Sequence, residues 1–475
     1  MSEHEFDVIV VGGGPAGEVL AGRLTEKSDK SVALVESHLL GGECSYYACM
    51  PSKALLRPQE ALSEAGRIPG ARERLNAEGP SVQDVLERRD RIIHDLDDEG
   101  QVEWVGSRGI ELFRGHGRLD GERRVRVNEE VLKARQAVVL AVGSSSEIPP
   151  IPGLSEAEPW TNREATTASE VPDRLIVLGG GVVGVEMAQA WHSLGSEVVL
   201  VELSDRLLAR EEPFAGEELA EAFEELGIDV RTGAKAAGAE RTDTGVLLEL
   251  EDGGRLEGGE LLVAVGRHPL TDDLGLDTVG LEPGGYLEVD ETLRVPGHPW
   301  LYALGDVNGR ALLTHMGKYQ ARLAADRIAL GDEGGIDPRW EAGLRPGGRN
   351  GELPAHGPTS PRVIFTDPQV AAVGHTLKSA RDAGLSVQEV DLSTSGTAGA
   401  SFYGRGAPGT TRFVVDTDRD VLAGATFVGP EVADFLHAAT IAVVGEVPLR
   451  TLVHAVPAFP ARGEIWLKFI EAYGL

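Results

Sequence analysis

The chain has 475 residues, 41% of them hydrophobic, enough to bury several cores and to divide into three or four domains. Its 76 acidic and 45 basic residues give a net charge of -31, which repels nucleic acid and anionic lipid and argues against both as partners. Apolar runs such as Ala137 to Val142 fall far short of the ~20 residues that span a bilayer, and the first residues lack a signal-peptide pattern, so no membrane association and a cytoplasmic location are expected.

The first predicted strand, Phe6 to Val11, is a short apolar run leading straight into Gly12-Gly13-Gly14-Pro15-Ala16-Gly17. A helix to about Leu24 comes next, then a strand from Ser31 to Val35 that ends in Glu36. Strand, glycine turn, helix, strand and terminal acid together form a dinucleotide fingerprint. Gly12 permits the tight turn, Gly14 lets the backbone approach a pyrophosphate at the helix N-terminus, and Glu36 can accept ribose hydroxyls.

Both cysteines of the chain lie just beyond, in Gly41-Gly42-Glu43-Cys44-Ser45-Tyr46-Tyr47-Ala48-Cys49-Met50-Pro51-Ser52-Lys53. In the cytosol such a pair points to catalysis or metal binding rather than a structural staple. No Cys/His cluster accompanies it, so no metal is assigned and redox work remains. Residues five apart in a regular helix have Cα atoms roughly 8.6 Å apart, beyond the ~7 Å reach of a disulfide, so a pair able to close must lie on a bent segment. Pro51 disfavours helical geometry at Met50, which puts the start of a helix there and Cys49 beside its positive end. That position favours a thiolate at Cys49. The bland alternatives are two inert buried thiols and two tyrosines that only pack.

A polar helical stretch from Ser81 to Val105, stopped by Gly106, precedes the turn Gly115-His116-Gly117 and the strand Ala137 to Val142, which ends at Gly143. The second fingerprint runs from Leu175 to Leu178 into Gly179-Gly180-Gly181-Val182-Val183-Gly184, and its next strand, Glu197 to Val201, ends in Glu202. Two fingerprints imply two dinucleotides, most simply a flavin and a nicotinamide. Glu202 repels a 2'-phosphate and favours NAD over NADP, with Arg206 nearby as the counter-argument. Further strand-to-glycine endings lie at Leu261 to Gly266 and Trp300 to Gly305. Residues Gly331 to Pro361 read as a Gly/Pro-rich linker. Beyond it, strands near Val363, Phe413 and Ala425 and helices near Phe435 and Ile465 form an α+β domain without a fingerprint.

These motifs, in this order, resemble the flavoprotein disulfide reductases, and among them the dihydrolipoamide dehydrogenases most. The likeness covers almost the full length and is strongest at GGECSYYACMPSK. Ala264 to Pro269, Ala303 to Val307 and Val363 to Ala371 look like further landmarks of the family. The resemblance implies an α/β chain with two Rossmann-like domains and a C-terminal α+β dimerisation domain. Its divisions are 1–150 (FAD), 151–270 (NAD), 271–345 (central) and 346–475 (dimerisation). It implies a homodimer with FAD and NAD(H), NADP(H) being the weaker choice, and a small-molecule electron acceptor. The FAD set is then Gly12, Gly14, Gly17, Glu36, Lys53, Gly117, Gly143, Asp306 and His315. The NAD set is Gly179, Gly181, Gly184, Glu202, Ala236 and Gly266. Glu186 would pair with Lys53 beside the flavin, a pair that could equally be a structural link between domains. Cys49 would be the flavin-side thiol and Cys44 the interchange thiol.

Three departures from the family stand out. Glu43 replaces a threonine and would disfavour a thiolate at Cys44. Tyr46-Tyr47-Ala48 is bulkier than the usual segment between the cysteines. At the C-terminus, alignment on Pro457 puts Val456 and Ala461 where the family has a His and a Glu that serve as acid and base. His454 is the only local substitute, and on an extended segment it would point to the same side as Val456. The missing dyad leaves two alternatives to a disulfide reductase, a quinone-type NAD(P)H dehydrogenase and a non-catalytic flavin redox sensor or complex subunit. Mercuric and large thioredoxin reductases are set aside, because no cysteine occurs after Cys49.

Overall fold

The computed structural model describes residues 2–75, 79–331, 359–404 and 408–475. The first nine α-helices in chain order are α1 (Pro15–Lys27), α2 (Gly42–Tyr46), α3 (Cys49–Arg67), α4 (Val82–Ile92), α5 (Glu99–Ser107), α6 (Asn162–Thr167), α7 (Val182–Ser193), α8 (Pro213–Leu226) and α9 (Thr314–Leu330). The expected linker, and with it the expected boundary at 345/346, lies almost wholly outside the described residues.

By packing, the chain forms two compact units threaded through one another in sequence. One comprises Met1–Met50, Asp90–Ser146 and Arg267–Gly357, and the other Pro51–Arg89, Glu147–Gly266 and Pro358–Leu475.

The first unit is built on a sheet whose main path runs Arg294–Val295, His298–Ala303, Glu130–Leu140, Ser2–Val11, Val32–Glu36, Glu111–Arg114. From His298–Ala303 to Glu111–Arg114 the pairings are parallel. Fully buried Val8, Ile9 and Val10 pair with Val32, Ala33 and Leu34, as near-continuous apolar runs should in a sheet covered on both faces. The first strand begins earlier than expected, because Ser2 to Phe6 pair with Glu130 to Ala134 ahead of an irregularity between Phe6 and Val8. Helix α1 runs three residues past Leu24 and packs on α9, where Asp326 takes a bidentate pair from Arg23, both bonds at 2.6 Å.

The helical stretch expected from Ser81 to Val105 is present in two pieces. It is broken between α4 and α5 by a 3-10 turn in which His94, Asp95 and Leu96 all have positive φ. Asp98 caps nothing in α5 but accepts from Leu40 N at 2.7 Å and from Arg114 Nη2 at 2.6 Å, holding the turn against the first fingerprint's neighbourhood.

The second unit holds a parallel sheet in the order Asp229–Arg231, Glu197–Val201, Arg174–Leu178, Glu260–Val263. A three-stranded antiparallel sheet from Ala236 to Gly258 lies in the same unit. Its C-terminal part is a five-stranded antiparallel sheet, Arg362–Ile364, Gln369–Gly374, Val421–Gly429, Thr410–Asp416, Val387–Ser393. Helices Ala433–Val444 and Ile465–Tyr473 pack on it, with Phe413 stacked on Phe469 at 4.3 Å between ring centroids. Arg89, 1% exposed, donates to Thr166 O at 2.7 Å and Ala168 O at 3.0 Å, tying α4 to the end of α6.

Candidate functional site

The two glycine turns share one construction. Gly12 and Gly179 have φ of 105° and 115°, and a Cβ on either would strike the strand behind it, at Ala141 and Ala264 respectively. A Cβ on Gly17 would run into the Gly12 carbonyl, and one on Gly184 into that of Gly179, so the third glycine is set by helix-to-turn contact. Glu36 Oε2 accepts from Gly13 N at 2.7 Å and its Oε1 from His38 N at 2.7 Å. Glu202 repeats this with Gly180 N at 2.5 Å and Ser204 N at 2.6 Å.

The N-caps of α1 and α7, Gly14 and Gly181, bring no side-chain cap to the orphan helix donors. A Cβ at Gly181 would meet nothing within 4 Å, and at Gly14 only Gly42 Cα at 4.0 Å. Open, uncapped helix N-termini lined by glycine backbone fit a dinucleotide pyrophosphate, and the acids at the strand ends fit its ribose. Arg206 Nη2 donates to Ala209 O at 2.9 Å.

The cysteine segment bends as required. Helix α2 ends at Tyr46, Tyr47 leaves helical geometry at ψ 2°, and α3 starts at Cys49. The helix therefore opens one residue before the expected Met50, with Pro51 in its first turn, where a proline lacks no needed donor. Cys49 Sγ lies 3.3 Å from Thr314 Oγ1 at the start of α9. The Cys44 thiol is pushed up by its hydrogen bond with Cys49 and by burial, while Thr314 and Lys318 oppose the rise. The largest contributions are thus the partner thiol and desolvation, where the sequence pointed to Glu43. Cys44 and Cys49 are both half-buried, and one proton shared between two neighbouring sulfurs raises the cost of ionising the second.

Tyr46 is fully buried and donates to Asp97 O at 3.3 Å, and its phenol is pushed up to about 12 by burial and by Asp98 and Glu18, so this tyrosine packs. Tyr47 remains partly exposed.

Within the first unit, Asp306 sits in a 3-10 turn after the strand His298–Ala303 and accepts from Ser144 Oγ at 2.6 Å. Arg267 Nε donates to the same Ser144 Oγ at 2.7 Å and stands 3.8 Å from Asp306. Gly143, φ 78°, has open space where a Cβ would be. Gly117 is wedged between Val11 and Val35, and His315 is exposed in the first turn of α9. Ser144 and Thr314 do not stand out in the sequence. A serine after a strand-ending glycine and a threonine before His315 carry no distinguishing pattern.

Within the second unit, Lys53 Nζ meets Glu186 Oε2 at 2.6 Å and lies 5.0 Å from the Phe365 ring centroid. Glu186, 3% exposed, also accepts from Phe365 N at 3.0 Å through Oε1. The buried carboxylate is thereby satisfied at both oxygens. Ala236 is buried at the start of its strand, and the Gly266 carbonyl accepts from Glu147 N at 3.1 Å.

The C-terminal segment departs from expectation at His454. It lies in a turn after the short helix Leu449–Leu452, its N donating to Thr451 O at 3.1 Å, so alternation along an extended strand does not apply. Val456 is 82% exposed and Phe459 77%. Glu464 is buried and accepts from Gly399 N and Ala461 N, both at 3.1 Å.

A family model described as pyridine nucleotide-disulphide oxidoreductase matches residues 6–324, and the dimerisation domain of the same family matches residues 360–468. The chain belongs to this family. It is similar to a dihydrolipoyl dehydrogenase of Thermus scotoductus, 32% identical over 476 residues that cover 98% of this chain and 97% of that protein. It is also similar to a mercuric reductase of Bacillus cereus, 30% identical over 445 residues, 93% of this chain and 67% of the relative. Among solved structures, LpdA from Mycobacterium tuberculosis superposes with a TM-score of 0.82 at 26% identity and 99% coverage of each chain. As a pyridine nucleotide-disulphide oxidoreductase the protein is an enzyme of the FAD and NAD(P)H class, and its dimerisation domain fits a homodimer. Among the described residues, no helix is long and apolar enough to cross a membrane.

Proposed function

We propose that the protein is an NADH-dependent FAD disulfide reductase of the cytoplasm, akin to dihydrolipoamide dehydrogenase, that delivers electrons through Cys44 and Cys49 to a small-molecule acceptor. The observation that carries this reading is the bend between α2 and α3, which brings the two thiols within hydrogen-bonding reach of each other beside the start of α9. When bound, FAD supplies two-electron transfer from the nicotinamide to the disulfide.

The chain's own residues have distinct parts in this reading. Gly12, Gly14 and Gly17 admit the FAD pyrophosphate to the N-terminus of α1, and Glu36 receives its ribose. By the family resemblance, Gly117 and Gly143 would offer backbone, His315 and Lys53 would serve a bound flavin, and Asp306, oriented by Ser144, would accept from the ribityl chain. Gly179, Gly181, Gly184, Ala236 and Gly266 hold NAD, with Glu202 selecting against a 2'-phosphate. Glu186 anchors the Lys53 ammonium at 2.6 Å, and a cation held there would favour electron density on a bound flavin. The division into 1–150, 151–270, 271–345 and 346–475 goes with this assignment.

A second reading, reduction of a quinone or other flat carrier without thiol exchange, is favoured by one observation: the position expected for the C-terminal acid-base histidine is Val456, almost fully exposed. Anaerobic NADH titration and subsequent acceptor assays separate the two. The first reading expects two reducing equivalents beyond FAD in the wild type, their loss in Cys44→Ser, and lipoamide turnover that disappears with them. Quinone turnover indifferent to Cys44→Ser, with no turnover of any disulfide, would leave the second.

A further inference from the structure

Lysine is a point charge on a flexible four-carbon stem, so a lysine that must present its ammonium at one place has to be held there by its surroundings. Lys53, in the second turn of α3, is 35% exposed and has room to move. Its Nζ meets Glu186 Oε2 at 2.6 Å and Ser52 Oγ at 3.3 Å, and it stands over the Phe365 ring, 5.0 Å from the centroid. Glu186 and Ser52 lie on α7 and α3, the helices that carry the pair itself. Phe365 comes from elsewhere in the chain, within the residues 360–468 that match the dimerisation domain.

The ring is fixed from both sides along the chain. Ile364 and Thr366 are each 1% exposed, Ile364 packs in one core with Leu55 and Leu56 of α3, and Thr366 Oγ1 donates to Pro368 O at 2.7 Å. The backbone of the same segment is tied to α7, where Phe365 N donates to Glu186 Oε1 at 3.0 Å and Asp367 N to Gln189 Oε1 at 2.8 Å. Glu186 and Gln189 are one helical turn apart and both buried. Helix α3 presents Lys53, Glu60 and Arg67 at intervals of seven, which keeps them on one face. Glu60 Oε1 accepts from Gln369 Nε2 at 2.6 Å, and Arg67 pairs with Asp367. The strap from Phe365 to Gln369 is thus stitched to α3 and to α7, and Phe365 is the end of it that meets Lys53.

We propose that Phe365 is a positioning residue for Lys53, its ring confining by cation–π attraction an ammonium that Glu186 and Ser52 would otherwise leave free to swing on its stem. The N–H of Phe365 occupies Glu186 Oε1 and leaves Oε2 to the ammonium, so one residue sets both members of the pair. A domain whose family description speaks of dimerisation thereby reaches the cation assigned to the flavin. The consequence at the flavin rests on the proposed function, in which Lys53 serves that cofactor, whereas the hold on Lys53 rests on contacts within the chain.

The test measures two quantities on the FAD-loaded protein: the rate at which trace acetic anhydride acylates Lys53, followed by peptide mass spectrometry, and the flavin midpoint potential, titrated against a reference dye. Phe365→Leu keeps the apolar bulk and the backbone N–H and removes the ring. It is expected to raise the acylation rate about three- to tenfold, because the amine no longer has to leave a ring face before it reacts. Two-electron reduction of the flavin should become poorer by a similar factor, a potential about 14 to 30 mV more negative. Phe365→Tyr retains the ring and should stay within about twofold of the wild type in both measurements. An unchanged acylation rate in Phe365→Leu overturns the proposal. So does a rise in Phe365→Tyr as large as that in Phe365→Leu, since packing alone would then account for both. Should Phe365→Leu fail to fold, Phe365→Met decides by the same criteria. Faster acylation with an unmoved potential upholds the hold on Lys53 and sinks instead the reading that Lys53 serves the flavin.

Discussion

The two glycine fingerprints are nearly superimposable in construction and opposite in where they send the next acid. Each has a left-handed first glycine, a third glycine pressed on the first carbonyl, and a strand-end glutamate bonded to the second glycine. After Gly17 the chain continues Glu18-Val19, and after Gly184 it continues Val185-Glu186. One residue of offset is about 100° around a helix. In the second turn it sends the acid onto Lys53, with both oxygens satisfied. In the first, it leaves an oxygen buried without a partner. The frame that admits a dinucleotide is thus generic, and individuality begins with the first side chain beyond it.

The largest expected effect comes from breaking the shared frame. Gly17→Ala and Gly184→Ala each place a methyl against a carbonyl oxygen that cannot retreat, a strain of about 3 kcal/mol. The first should abolish FAD retention, read from the flavin absorbance of the purified protein. The second should leave FAD in place and reduce its reduction rate by NADH at least tenfold, measured by stopped flow.

Val185→Glu gives the second fingerprint the acid of the first. Val185 is fully buried, and an unpaired carboxylate there should cost about 3 kcal/mol in denaturant unfolding.

Glu18→Gln removes the acid from the first. An ordinary glutamate loses its proton near 4.5, whereas folded Glu18 keeps it to about 7. Between those values the folded state binds more protons than the unfolded one. The associated stability is therefore whole below pH 4.5 and falls as pH rises through 7. In Glu18→Gln that slope, up to about 3 kcal/mol, should vanish from the unfolding free energy measured against pH.

Lys53→Met leaves Glu186 buried without its cation. Because Lys53 is about one-third exposed, the loss should be smaller, about 2 kcal/mol, read from chemical unfolding.

Both fingerprints, their strands and the acids that end them were legible because glycine spacing and apolar runs are local signals. So was the bend between the cysteines, since helical geometry alone forbids their approach. The break at His94, Asp95 and Leu96 was not, because three non-glycine residues hold positive φ there and the surrounding pattern reads as continuous helix. His454 was misplaced for a related reason: a short helix ending in a turn has no period with which to announce itself. Glu18 escaped notice because an acid in a first helical turn ordinarily faces water and the helix dipole, and only the packing of α1 on α9 shows that one of its oxygens does not.

Glu36 and Glu202 are each held by two backbone N–H groups within the protein itself. Freezing a glutamate side chain costs about 1.5–2 kcal/mol of rotamer entropy. Here that ordering is completed when the chain folds. On the proposed assignment, a ribose arriving at either strand end would therefore meet a carboxylate already at rest, and its hydroxyl bonds would appear in affinity without a deduction for stilling the acid that receives them.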